Sequence, residues 1–465
     1  MPINMKQIEP PKQNTNSSSG TEKKLIKNLR ILTSDKLAGP NAGPNPGPNT
    51  GNVRVVHGDL LVTGNRVTEL ALGGSTHDAD SVIDGKGFLA IPGLINCHTH
   101  APMGFFRGLG HGRTNMIEEF LFPAEKSLTA ELLEPLSWSY LVTSLRAGVT
   151  CIADHYYMIH GVGQALERLG MRGFIGETIA DLGGAFPGWE SWTKARDAVE
   201  SWNFSSLVRP VIAPHAADTV SSKMLREAAQ FARKHSLTLH MHLSQTKGEL
   251  QRVRIQDGMT PVQKAFACEA LWDRTLAVHM VSAREADFAE LRTSGATAVI
   301  CPTSQVIYEH LAPIEHVAAS GVHWATATDC AASNDGADVL SDCKLLGLMA
   351  RDRKISGDTF EPKNLLASVT TTPARALGMS GQLGVIQAGS LADIVFLRDD
   401  LSMRPAFDDV RNLIYSAGSS GVEHVMIDGH WRLWRRELCG VDEQQLSAEF
   451  DSAVSEIMRR TGLNQ

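Results

Sequence analysis

The pattern of hydrophobic and polar positions divides the chain into three stretches. Leu25–Thr33, Val53–Thr63 and Arg66–Leu72 read as strands, and Gly64-Asn65 between the last two is a hairpin signal. From residue 91 the rhythm changes to short apolar runs separated by longer stretches of helical period. The runs are 91–97, 149–154, 172–179, 208–214, 237–243, 275–280, 297–302 and 322–328. Strands alternating with helices predict βα repeats around a parallel sheet. Met224, Ala228, Phe231 and Ala232 recur at helical spacing, a stripe that covers such a core. After residue 375 strand-and-turn character returns. Gly384–Gly389, Ala392–Leu397, Val410–Tyr415 and Val422–Ile427 are expected as β structure, with Asp428-Gly429 as a turn. Asp442–Arg459 reads as an amphipathic helix.

Eight strands are the number that closes a (β/α)8 barrel. The expected fold is therefore α/β: a TIM-type barrel over 91–379 with a small β-sandwich domain formed from both chain ends, 23–90 and 380–440. Residues 441–465 would add a C-terminal helix. Residues 1–22 are rich in Pro, Asn, Ser and Lys and are expected to be a disordered tail. The Gly-Pro-Asn repeats over 39–49 could be a partner-binding tract. Their density of Gly and Pro suits an inserted loop between two strands better.

Composition narrows the class. The chain has 465 residues, 43% hydrophobic and 20% charged, with a net charge of −7. That describes a soluble enzyme-sized protein with a large core and no basic footprint for nucleic acid or an anionic membrane. No apolar run approaches the ~20 residues a membrane helix needs. The first twenty residues carry no hydrophobic segment of a secretory leader. The seven cysteines are odd in number and scattered, which fits reduced thiols in the cytoplasm.

The chemistry concentrates where the predicted strands end. His98 and His100 close the first run as His-x-His, and side chains two apart on a strand point the same way. Asp154, Glu177, His215, His242, His279 and Asp329 lie within or just after later runs. Barrel enzymes place their chemistry at that end of the strands. A lone buried histidine is usually structural, but this recurrence points to a metallohydrolase.

The segments Pro92–Met103, Ala213–Ala216, His242–Thr246, Cys301–Ser304, Thr328–Asn334 and Gly389–Asp393 resemble the amidohydrolase superfamily. The resemblance is nearest to the branch of S-adenosylhomocysteine/5′-methylthioadenosine deaminases, with triazine chlorohydrolases as neighbours. It implies one divalent metal ion, zinc or iron, on His98, His100, His242 and Asp329. The bridging lysine of binuclear relatives has no counterpart in Val208–Pro214. Asp329 would take a proton from the metal-activated water, and His279 would polarise the substrate. His215, Glu125 and Arg172 would contact the substrate, with Asp154 in support; a structural ion pair for Arg172 and a solvated helix position for Glu125 are the alternatives. His240 faces the same side as His242, but the resemblance puts the ligand at His242. Alternation should turn the thiols of Cys97 and Cys330 into the wall.

Two positions depart from the branch, and both are expected at the pocket. Gln245 stands where its members carry a glutamate that moves a proton to the substrate ring, and Gln305 where they carry asparagine. An amide cannot exchange that proton at neutral pH. The expected activity is deamination of a small nitrogen heterocycle or nucleoside-like substrate. The alternatives are removal of chloride or an alkylamine from a triazine-like ring, or an inactive metal-binding homologue with a binding role. The expected partners are a small-molecule substrate and further copies of the chain, as a dimer or tetramer.

Overall fold

A strand covered on both faces has no polar face to show, so its sequence reads as a continuous apolar run. The computed structural model, which describes residues 3–6, 22–34, 53–110, 115–185, 191–308 and 310–462, bears this out. The central strands are β1 (Leu94–Thr99), β2 (Val149–Tyr156), β3 (Arg172–Ile179), β4 (Val208–Pro210, continued by Ala213–Pro214), β5 (Leu239–Leu243), β6 (Thr275–His279), β7 (Thr297–Ile300) and β8 (His323–Thr326). β1, β2, β3, β5, β6 and β7 are buried at every position.

All these neighbours pair in parallel, in chain order, from β1 to β4 and from β5 to β8. Single bridges at Ile212–Leu239 and Ala216–His242 join β4 to β5. The Asp329 N–H donates to the His98 carbonyl at 3.2 Å, bringing the segment after β8 back to β1. The arrangement is consistent with a TIM-type barrel. The helix Ser222–Lys234 buries Leu225, Ala228, Ala229 and Ala232 against it. Ser221 caps that helix by accepting the Met224 N–H at 3.2 Å.

The two chain ends share one ten-stranded mixed sheet. Phe88–Pro92 is its seam, pairing in parallel with Lys23–Ser34 and antiparallel with Ile394–Arg398. A final helix, Glu443–Thr461, buries Leu446, Ala453 and Ile457. No helix among the described residues is long and apolar enough to cross a membrane.

Four expectations change. Ile3–Asn4 is a strand paired with Ile83 and Asp84, and Met5 is fully buried, so residues 3–5 are ordered within the stretch expected as a disordered tail. Val410–Tyr415 is helical: Asp409–Asn412 is an α-turn, and Leu413–Ala417 continues it as a π-turn. Buried Val410, Leu413, Ile414 and Ala417 recur at the helical period, and Asp408 caps the start. Gly384–Gly389 forms turns. Gly384 has φ +71, and a Cβ there would come within 2.5 Å of the Thr370 backbone. The Gly-Pro-Asn repeats lie outside the described residues.

The fourth change concerns Arg172, expected to touch substrate. It opens β3, and its buried guanidinium turns to the flanking sheet. There it donates twice to Asp393, at 2.8 and 3.0 Å, and once to Asp428, at 3.1 Å. It is a structural clamp between the parallel strands and the sheet. Removing one partner of a buried pair leaves an uncompensated charge. Asp393→Ala should therefore lower stability by about 3–5 kcal/mol in urea unfolding. Wild-type stability in that variant would show that Arg172 is satisfied elsewhere.

Candidate active site

The strand ends converge on a cavity of about 880 Å³, lined among others by His100, His155, His215, His242, His279 and Asp329. His98 lies beneath it, fully buried. His100 Nε2 and His242 Nε2 face each other at 3.2 Å. Asp329 Oδ1 stands 3.4 Å from His98 Nε2 and 3.7 Å from His100 Nε2. Among the described residues, two groups could hold a metal ion: His98, His100 and His242, and His98, His279 and Asp329.

The rear hydrogen bonds decide which ring nitrogen faces inward. His242 Nδ1–H donates to the His215 carbonyl at 2.7 Å, and His100 Nδ1–H donates to the His155 carbonyl. In a neutral imidazole the other nitrogen is then a lone pair. Two such lone pairs facing each other are unfavourable unless a shared proton or a nearby cation offsets them. His279 Nε2 is likewise buried without a partner. The donor set of imidazole nitrogens and one carboxylate suits an open zinc-type site.

Burial disfavours the charged form of several of the buried rings. It pushes the imidazolium of His98 down to about 4 and of His279 to about 3, in both cases against the pull of Asp329. It also holds His242, His240 and His155 well below the usual histidine range, and the neighbouring rings add to the effect. For Asp329, burial alone would raise the carboxyl. The hydrogen bond from His98 and the adjacent rings outweigh it and hold the group well below the carboxylate range.

Asp329 is fixed from several sides. Ser304 Oγ and Ser333 Oγ donate to Oδ2 at 2.7 and 3.2 Å, and the Cys330 N–H donates to Oδ1 at 2.8 Å. Its backbone sits at φ +65, a left-handed conformation that costs a non-glycine residue energy. The Tyr140 hydroxyl holds it there through the Asp329 carbonyl at 3.0 Å, and is itself tied to Thr328 and Asn96. His279 has φ +81, and Gln305 Nε2 grips its carbonyl at 2.8 Å. Gln305 is thus a buried brace, not a pocket residue as expected. Asp154 braces the turn after His100 by accepting from Thr99 Oγ1 and the Ala101 N–H, both at 2.6 Å.

The remaining expected residues divide. His215 and Glu125 line the cavity. Burial lowers His215 to about 4 and raises Glu125 to about 7, the latter opposed by the Tyr156 hydroxyl. Cys97 is in the wall, but Cys330 lines the cavity because it lies beyond β8, where strand alternation no longer applies. His240 meets His98 Nδ1 through its Nε2 at 2.7 Å. His155, Tyr140, Ser304 and Ser333 went unread as functional positions. Ser304 and Ser333 lie inside the segments Cys301–Ser304 and Thr328–Asn334, His155 directly follows Asp154, and no motif marks Tyr140.

Residues 89–432 match the model of the amidohydrolase family, so the chain belongs to that family. A 5-methylthioadenosine/S-adenosylhomocysteine deaminase of Pyrococcus furiosus is 30% identical over 409 residues, covering 85% of this chain and 95% of the relative. An adenosine deaminase from Xanthomonas campestris with bound zinc superposes with a TM-score of 0.83 at 23% identity, over 94% of this chain and 99% of that one. Atrazine chlorohydrolase from Arthrobacter aurescens TC1, complexed with zinc, gives a TM-score of 0.82 at 22% identity, over 93% and 100%.

Gln245 lines the cavity and is positioned by Glu249. The buried Glu249 carboxylate accepts the N–H groups of Ser244, at 3.1 Å, and Gln245, at 2.6 Å. Burial, then the charge of Asp218, pushes that carboxyl up to about 8 against these hydrogen bonds. The folded state therefore binds a proton that the unfolded chain has released. The resulting stability is full at low pH and is lost as pH rises through about 8. Glu249→Gln removes the ionisable group. The unfolding midpoint of the variant should gain on wild type between pH 5 and pH 8. A difference independent of pH would contradict this.

Proposed function

We propose that the protein is a metal-dependent aminohydrolase that removes an exocyclic amino group from an adenosine-like nucleoside. The observation that carries this reading is a pair of overlapping groups that share His98: His98 with His100 and His242, and His98 with His279 and Asp329. The family membership and the deaminase named among its relatives support it. His98, His100, His242 and Asp329 would hold one ion, and the zinc in both structural neighbours favours zinc over iron. When bound, such an ion lowers the pKa of a water towards neutrality and makes it a nucleophile.

The chain's own groups do the rest. Asp329 is ionised at neutral pH and accepts the proton that the attacking water loses. His279 is neutral and offers one N–H to the reacting ring. Glu125 and His215 hold the remainder of the substrate, and Arg172 has no part in it. As oxygen bonds to the ring carbon, the carbon–nitrogen bond breaks and ammonia leaves with the transferred proton. Gln245 can hydrogen-bond the ring but cannot protonate it. Burial keeps His279 and His215 uncharged, so the cavity group that carries a proton near neutrality is Glu125, whose carboxyl burial raises to about 7.

Gln245 also favours a second reading. Expelling chloride or an alkylamine from a triazine-like ring depends less on a ring-protonating acid, and a chlorohydrolase is among the structural neighbours. The same proposal takes the parallel strands as a closed (β/α)8 barrel over 91–379, and the flanking sheet over 23–90 and 380–440 as a β-sandwich. Seven free cysteines support a cytoplasmic location.

Purified protein should carry about one divalent ion per chain. His100→Ala and Asp329→Ala should lose metal, activity or both in metal analysis and ammonia-release assays. Full retention by either would overturn the ligand assignment. General acid–base catalysis is worth about 10²–10⁴-fold, so adenosine-type deamination should be slower than in glutamate-bearing relatives by that order. Gln245→Glu should raise it. A wild type already efficient on methylthioadenosine, and unimproved by Gln245→Glu, would show that some other group supplies the proton.

A further inference from the structure

His240 occupies the second position of β5 and is fully buried. Its Nε2 lies 2.7 Å from His98 Nδ1, so one proton sits between the two nitrogens. The site's chemistry depends on which nitrogen carries it. If His98 holds the proton on Nδ1, its Nε2 is a lone pair facing the cluster. If His240 holds it, the proton of a neutral His98 moves to Nε2. There it points towards Asp329 Oδ1, 3.4 Å away, and closes that nitrogen to a cation.

His100 and His242 have no such freedom. Their Nδ1 partners are backbone carbonyls, which only accept. His98 alone among the three is backed by a group that can play either part. The second nitrogen of His240, Nδ1, is buried without a hydrogen-bond partner among the described residues. It lies beside His155, both of whose ring nitrogens are also buried and unpartnered.

We infer that His240 is a positioning residue: by accepting at Nε2 it holds His98 in the Nδ1-protonated tautomer and so sets how tightly the cluster takes a divalent ion. This rests on the proposed metal reading. Orienting partners behind metal-bound histidines fix the tautomer and ring orientation. An imidazole in that place fills a role that a carboxylate or carbonyl usually fills, and carries no charge of its own here.

The test is zinc affinity, read by competition with a chromophoric chelator on the full-length protein. His240→Gln places an amide oxygen near the accepting Nε2, and His240→Leu removes the acceptor at similar bulk. His240→Leu should bind zinc about 10–100-fold more weakly, and His240→Gln within about threefold of wild type. Zinc affinity unchanged in His240→Leu, or weakened equally in both variants, would overturn the inference in favour of packing alone. Should His240→Leu fail to fold, nitrogen-15 spectra of the zinc-loaded wild type decide. A proton on His98 Nδ1 upholds the inference, and its absence there overturns it. A wild type that takes up no ion at all would overturn the metal reading and this inference together.

Discussion

His100 Nε2 and His242 Nε2 stand 3.2 Å apart, where the lone pairs of two neutral rings repel, and the centre of this molecule is built around that constraint. Neither ring can relieve the conflict by turning its proton inward, because the carbonyls of His155 and His215 hold both Nδ1–H groups from behind. Nor can protonation relieve it cheaply for His242, whose burial disfavours the charged form. A cation held by His100, His242, His98 and Asp329 would resolve the conflict. The surrounding architecture serves to keep these side chains from relaxing apart.

The means are distributed over distant parts of the chain. Asp329 and His279 both sit at positive φ, and hydrogen bonds from Tyr140 and Gln305 hold them. Tyr140 belongs to the helix Ala130–Arg146. Gln305 belongs to Pro302–Tyr308 and also accepts the Ala312 N–H at 3.1 Å. At the other end of β3, Arg172 ties the parallel strands to the sheet shared by the two termini. Strain at the reacting end is thus supported by close packing and ion pairing elsewhere, a division common at functional sites.

Much of this was legible in the sequence, for identifiable reasons. Fully buried parallel strands read as apolar runs, and residues two apart on a strand face the same way, so His98 and His100 declared themselves. The shared sheet was visible as strand-and-turn composition at both ends. The failures are equally physical. Val410–Tyr415 is rich in strand formers, yet its apolar residues follow the helical period, and the period prevailed. Arg172 begins a strand whose far end reaches the cavity, and sequence position alone did not say which end its side chain served. Gln305 was grouped with Gln245 because both depart from the family pattern, but one braces a backbone carbonyl and the other faces the cavity. His240 was visible as half of a His-x-His pair. That its partner would be another ring, and not an ion, required the distance to His98.

Gln245 leaves the substrate open between adenosine-like and triazine-like rings, but both readings require the same centre. X-ray absorption at the zinc edge of the protein as purified tests that centre most directly. The account predicts a shell of nitrogen and oxygen at about 2.0–2.1 Å, with the multiple-scattering signature of several imidazoles and no sulfur. A sulfur shell near about 2.3 Å would contradict it by implicating Cys330. So would a site without histidine scattering.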